Sequence, residues 1–281
     1  MKKQYLLPLS AVAGGIVALF LRAAQNRTGF ETETGLPIPG SLPGIALPVL
    51  LAALALLFFL LSRRLPSEGA PGPALPADFS TRDARLLALP VAGSFLIALS
   101  GTLDLLSGFG LLGGISAASA DTLTTGFSPR SHLLMGLFSL AAAAGLFLSA
   151  AACRRQGRRE NAPVLAGTWL LVPVAALVVR LVLTYRACSV NPSLEAYYVE
   201  LLALVFLTLS FYRLSSFAFQ AGQTRRFALY VCAAVVLCIA AVADTAKQPG
   251  SLLAYLGSGA TLLGFLLLRL SAPPSFEKDV E

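Results

Sequence analysis

Long apolar stretches alternate along the chain with short segments in which proline, glycine and arginine gather. Eight stretches approach the roughly 20 mostly apolar residues that an α-helix needs to cross a bilayer. They cover about 4–22, 44–62, 85–106, 132–152, 164–186, 194–213, 227–244 and 251–269. Each is expected to be helical, because a lone strand in lipid would leave its backbone polar groups unpaired. The separators carry turn chemistry or charge: Thr34–Gly44 is rich in Pro and Gly, Pro66–Asp78 in Pro and Ala, and Cys153–Pro163 in Arg, with the short Gln248–Ser251 before the last span. The pattern predicts an all-α integral membrane protein, a bundle of eight transmembrane helices forming one domain over residues 1–281.

Two segments fit this scheme poorly. Ser107–Ser131 is polar and Gly-rich, with an apolar piece at Gly108–Ile115, and reads as a short external helix or a dip back into the bilayer. Leu214–Thr224, with Phe217, Phe219 and Gln220, either extends the sixth span or lies along the interface.

Composition narrows the class. Hydrophobic residues make up 56% and charged residues 12%, about half the charged fraction of an ordinary soluble domain. Too few charges remain to cover the outside of a soluble fold, which excludes a soluble enzyme, a disordered chain and a nucleic-acid-binding domain. The net charge of +7 reports topology instead. Fifteen of the 21 lysines and arginines fall on one side of the alternating loops and five on the other, with Arg180 inside a span. Positive charge stays in the cytoplasm, so both termini are expected inside. The Ala- and Leu-rich, Arg-over-Lys composition suggests a bacterial plasma membrane. Met1–Leu21 also has the basic start and apolar run of a signal peptide. The length of that run, and Arg22 ahead of Ala23 and Ala24, argue against cleavage, which would leave seven helices.

Candidate chemistry centres on Arg180 and Glu200. Arg180 lies about 9 Å below the outer end of the fifth span, where it must snorkel, reach a water-filled cavity or find a partner. Glu200 sits at matching depth in the sixth span, and the short connection makes the two helices antiparallel neighbours, so an Arg180–Glu200 ion pair is expected. On the fifth span Pro173, Ala176, Arg180 and Thr184 share one helical face, and on the sixth Tyr197, Glu200, Leu204 and Thr208 do so. Pro173 reads as a mid-span break that frees the carbonyl of Trp169. The arrangement suits either an outward-facing pocket for a polar or charged small molecule, or a buried pair that only fixes helix pairing.

Asp104, His132, Glu195 and Asp244 lie at the outer ends of their spans. Asp104 could join the binding cluster, and His132 with Glu200 could relay protons. Polar residues are also what interfacial helix ends ordinarily carry. Tyr5, Trp169, Tyr185, Tyr197, Tyr198, Tyr212 and Tyr230 read as an aromatic belt, with Tyr197 and Tyr198 as alternative pocket residues.

Other signals are weaker. Gly108, Gly110 and Gly113 match GxGxxG outside the strand-to-helix context that gives it meaning. Asn26-Arg27-Thr28 forms a sequon useful only in a eukaryotic secretory host. Arg154–Arg159 suits anionic lipid or simple charge retention, and spacings such as Ala260/Gly264 and Ser10/Gly14 suit close helix contacts. Cys153, Cys188, Cys232 and Cys238 contain no CxxC, and one histidine cannot build a His-rich metal site. No cofactor, metal or catalytic residue is expected.

The function expected from these residues is that of a carrier or binding component for a small polar or anionic solute, with Arg180 as anchor, Glu200 as its gating or proton-coupled partner, and Thr184, Tyr197 and Asp104 alongside. The alternative is a non-enzymatic sensor or assembly subunit acting with a partner membrane chain. A lipid-modifying enzyme using Asp104, His132 or Glu200 is a third and weaker expectation. The surroundings in every case are the lipid bilayer, with no nucleic acid.

Overall fold

A computed structural model describes residues 5–31, 36–65, 79, 81, 84–111, 127–155, 168–189, 197–219, 221–245 and 248–271. Residues 112–126 of the Ser107–Ser131 connection, which include Gly113, lie outside them, as do Glu195, Pro66–Asp78 and most of the arginine run. The chain forms α1 (Leu6–Thr28), α2 (Leu42–Ser62), α3 (Ala84–Gly108), α4 (Pro129–Arg155), α5 (Leu171–Cys188), α6 (Tyr198–Ser216), α7 (Thr224–Thr245) and α8 (Pro249–Ser271). All eight are long and apolar enough to cross a membrane. Among the described residues there is no β-strand, and one isolated bridge joins Phe30 to Pro37 in the α1–α2 connection.

Helix boundaries depart from the hydropathy pattern where polar residues find partners. The first apolar run ends near Arg22, yet α1 continues to Thr28, because Arg22, Gln25 and Asn26 are hydrogen-bonded within the protein. At the other end of the chain's middle, α5 starts only at Leu171. Pro173 is therefore in its first turn, where the amide has no intrahelical partner and proline is tolerated. The expected mid-span break is absent, and the carbonyl of Trp169 accepts from the amide of Val172 (3.3 Å). After α6 a 3₁₀ turn, Phe217–Phe219, leads towards α7, so the ambiguous Phe-containing segment extends the sixth helix. Gly110 adopts φ +71° just beyond α3. Gly108 and Gly110 thus end a membrane helix.

The ring decides where the site lies. α3 packs on α4, α4 on α5, α5 on α6, α6 on α7, α7 on α8, and α8 returns to α3. α1 packs outside the ring on α7, and α2 covers parts of α1 and α7. Small residues set the closest approaches, as expected where lipid supplies no hydrophobic drive between helices. At the α3–α8 contact a Cβ on Gly257 would lie 2.8 Å from the carbonyl oxygen of Gly93. A Cβ on Gly15 of α1 would lie 2.7 Å from Ile239 of α7. Large apolar side chains such as Leu9, Phe20, Val49, Leu56 and Phe95 face outward, where a bilayer covers them.

Consecutive spans alternate in direction. The arginines of the basic end (Arg63, Arg64, Arg85, Arg154, Arg213, Arg225, Arg226 and Arg269) therefore collect opposite a polar end. The polar end is built from the C-termini of α1, α3, α5 and α7 and the N-termini of α4, α6 and α8. At the basic end Phe79, Phe217, Phe227 and Phe265 pack edge to face, with centroids 5.2–6.3 Å apart. Arg269 lies over Phe217 and donates to Thr224 Oγ1 (3.1 Å).

Candidate functional site: two arginine clusters and a ring cavity

Burying arginine within a span is costly unless its charge and its donors are matched. The polar end does this twice. In the first cluster Arg180 Nη1 donates to Asp104 Oδ2 (3.3 Å) and Nη2 to Ser251 Oγ (3.2 Å), joining α5, α3 and α8. Ser251 donates in turn to Gln248 Oε1 (3.3 Å). His132 on α4 approaches the other Asp104 oxygen, with Nδ1 to Oδ1 at 3.8 Å. That is beyond hydrogen-bond reach, and among the described residues Nδ1 is buried without a hydrogen-bond partner.

The second cluster was hidden from sequence reasoning. Arg22 of α1, fully buried, donates through Nε to both oxygens of Asp244 on α7 (2.8 and 3.1 Å) and through Nη1 to Gln25 Oε1 (2.8 Å). Asn26 Nδ2 also donates to Asp244 Oδ1 (2.8 Å). The guanidinium sits 5.1 Å from the centre of the Tyr198 ring. Arg22 reads as a loop charge because the apolar run stops there. The available signal was Gln25 and Asn26 three and four residues on, which place three polar side chains on one face.

The expected Arg180–Glu200 ion pair does not form. Asp104 takes the guanidinium, and Glu200 Oε1 accepts from Tyr255 Oη on α8 (3.0 Å). Depth matching alone could not distinguish a partner on α6 from one on α3, since both acids reach the same level. Glu200 nonetheless feels the charges of Arg180, Arg22 and Asp244, so it stands between the clusters. Thr184 is buried on the same face of α5 as Pro173, Ala176 and Arg180, the face read from the sequence. On α6 the inward face carries Glu200, Ala203, Leu204 and Leu207, while Thr208 is only half buried and bonds back to Leu204 O. Tyr197 is half buried just before α6.

Below Arg180 the ring holds a narrow, partly open cavity of about 30 Å³. Ile97, Ser139, Leu146, Ala176, Phe211 and Ser258 line it, together with Arg180. Its walls are apolar except for two serine hydroxyls and the guanidinium. The four cysteines are free and buried. Among the described residues no cluster of three or more His, Cys, Asp and Glu could hold a metal ion.

Comparison with family models, curated proteins and solved structures found no match to this chain. Fold and composition together define its class: a polytopic helical membrane protein, with eight apolar helices among the described residues. A six-helix ring within it carries a cationic side chain into an internal cavity.

Proposed function

We propose that the protein is a carrier or binding component for a small organic anion, a carboxylate head on a short apolar body, held in the ring cavity. One observation carries this reading: Arg180 lines a cavity whose remaining surface is almost wholly apolar. An apolar wall with a few convergent polar groups is the usual lining of a small-ligand site. Only two of the five guanidinium donors are engaged among the described residues. The Arg180–Asp104 contact at 3.3 Å is longer than the roughly 2.7–2.9 Å of a strong charge-assisted bond. Arg22–Asp244 at 2.8 Å is not. Arg180 is thus the arginine with capacity for a ligand, and Arg22 the one committed to structure. By the charge asymmetry both termini lie in the cytoplasm of a bacterial cell, and the Arg180 end faces outward.

Thermal unfolding of the detergent-purified protein with acetate, butyrate and benzoate, against the matched amides, tests this. A bound carboxylate at a hundredfold excess over its Kd stabilises the fold by about 2.7 kcal/mol. The shift is expected to vanish in Arg180→Gln and in Ser258→Leu, which fills the cavity and leaves the ion pair intact. A protein that none of the carboxylates stabilises sinks the proposal.

A second reading, a non-enzymatic subunit of a larger assembly, is favoured by the two protein partners Arg180 already has. Arg180 would then only tie α3, α5 and α8 together. A stoichiometric partner chain recovered from native membranes, with every carboxylate silent, would select it.

A further inference from the structure

Among the described residues, the buried charges of the polar end do not balance. Asp244 matches Arg22 and Asp104 matches Arg180, which leaves the carboxylate of Glu200. It is buried, and its one hydrogen-bond partner among the described residues is the neutral hydroxyl of Tyr255. The groups facing it are Arg180 and Cys188 from α5, Asp244 from α7, Arg22 from α1 and Tyr255 from α8, with Tyr197 and Tyr198 beside it in sequence. Both arginines in this set are already paired with aspartates, and no cationic side chain of the described residues lies within 4 Å of Glu200. A buried, unpaired carboxylate is a costly arrangement that one proton relieves.

We infer that Glu200, hydrogen-bonded to Tyr255, is a proton-binding site, and that its proton offsets the charge of an anion bound at Arg180. The second half rests on the function proposed above. The reaction is the addition of one proton from the polar-end water to a carboxylate oxygen, giving a neutral carboxylic acid. Glu200 is the third residue of α6, about 3 Å along the axis from the start of that helix, so the proton need not cross the bilayer to reach it. Tyr255 continues to donate to one oxygen, while the new O–H of Glu200 serves as a further donor. The two sites share a wall. Ser251 and Tyr255 are four residues apart on one face of α8. The first bonds Arg180 and the second bonds Glu200, while Ala254 between them lines the cavity. A change at either site is felt by the same helical turn. An anion entering beside Arg180 would add a second uncompensated negative charge. With Glu200 protonated, the same anion brings the polar end back to a single one.

Infrared difference spectra of the full protein in liposomes, acid minus neutral, read the proton directly. The carbonyl band of a protonated carboxyl is expected in the wild type, lost in Glu200→Gln and shifted in Tyr255→Phe, which keeps the carboxyl and removes its donor. A Glu200→Gln protein that folds and keeps the whole band overturns the proton site. If Glu200→Gln does not fold, an unshifted band in Tyr255→Phe overturns it equally. Benzoate is then added to weakly buffered proteoliposomes. About one proton is expected to be taken up per benzoate bound by the wild type and none by Glu200→Gln. Benzoate bound without proton uptake overturns the coupling. A band that Glu200→Gln abolishes, with benzoate silent, supports the proton site and counts against the anion proposal alone.

Discussion

Arg22 and Arg180 carry the same side chain at similar depth, yet their surroundings differ. Arg22 is held by both oxygens of Asp244 and by Gln25. Arg180 has a single longer contact to Asp104 and a serine. Removing one partner of a buried pair leaves the other charge uncompensated, so Asp104→Ala is expected to cost about 3–5 kcal/mol of stability. Replacing both partners, Asp104→Leu with Arg180→Leu, should recover most of that loss, because an apolar pair of similar volume needs no desolvation. Thermal unfolding of the single and double variants measures the difference. A double variant as unstable as Asp104→Ala would mean that the site needs its polar groups for folding. Arg180 was legible from sequence because it interrupts an apolar run. Arg22 was not, because it stands where the run stops, and only the contact with α7 shows the helix continuing around it.

At the scale of elements, α8 organises the candidate site. It closes the ring against α3, holds Arg180 through Ser251 and holds Glu200 through Tyr255. Its approach to α3 depends on glycines: a Cβ on Gly93 would lie 2.6 Å from the carbonyl oxygen of Gly257. Backbone cannot yield there as a flexible side chain would. Gly93→Ala and Gly257→Ala are each expected to destabilise by about 1–3 kcal/mol, the usual range for overpacking. Both should also weaken any carboxylate-induced stabilisation, since α8 would be displaced from the cavity wall. The control is α2, most of which is exposed on the outside of the bundle. Val49→Ala, at an outward-facing position, should change stability by no more than about 0.5 kcal/mol. Periodicity alone revealed the buried face of α5, as Pro173, Ala176, Arg180 and Thr184 all turn inward. It misread the start of that helix, because an apolar approach to Leu171 is indistinguishable by hydropathy from the span itself.

The whole molecule separates a basic end from a polar end, and the membrane gives that separation its direction. Arg64 is exposed at the basic end and Arg130 at the polar end. The native cysteines are buried, so new surface cysteines should dominate labelling. In intact cells a membrane-impermeant maleimide is expected to label Arg130→Cys and to reach Arg64→Cys only after permeabilisation. The reverse pattern would invert the topology and turn the cavity's polar end towards the cytoplasm.

Eight spans and the polar character of one end could be read from the chain alone, because a bilayer imposes its thickness and its charge rule on each segment separately. No partner helix is needed to decide that Leu42–Ser62 is apolar enough to cross. Pairings are a different matter. The spans are rich in Ala, Leu and Gly, and a small-residue face does not by itself name its neighbour. Closure of α8 on α3, the choice of Asp104 over Glu200 for Arg180, and the Arg22–Asp244 pair depend on which helices become adjacent across 76 to 222 residues of chain. That adjacency follows from side-chain packing in three dimensions, which the one-dimensional pattern of hydropathy does not contain.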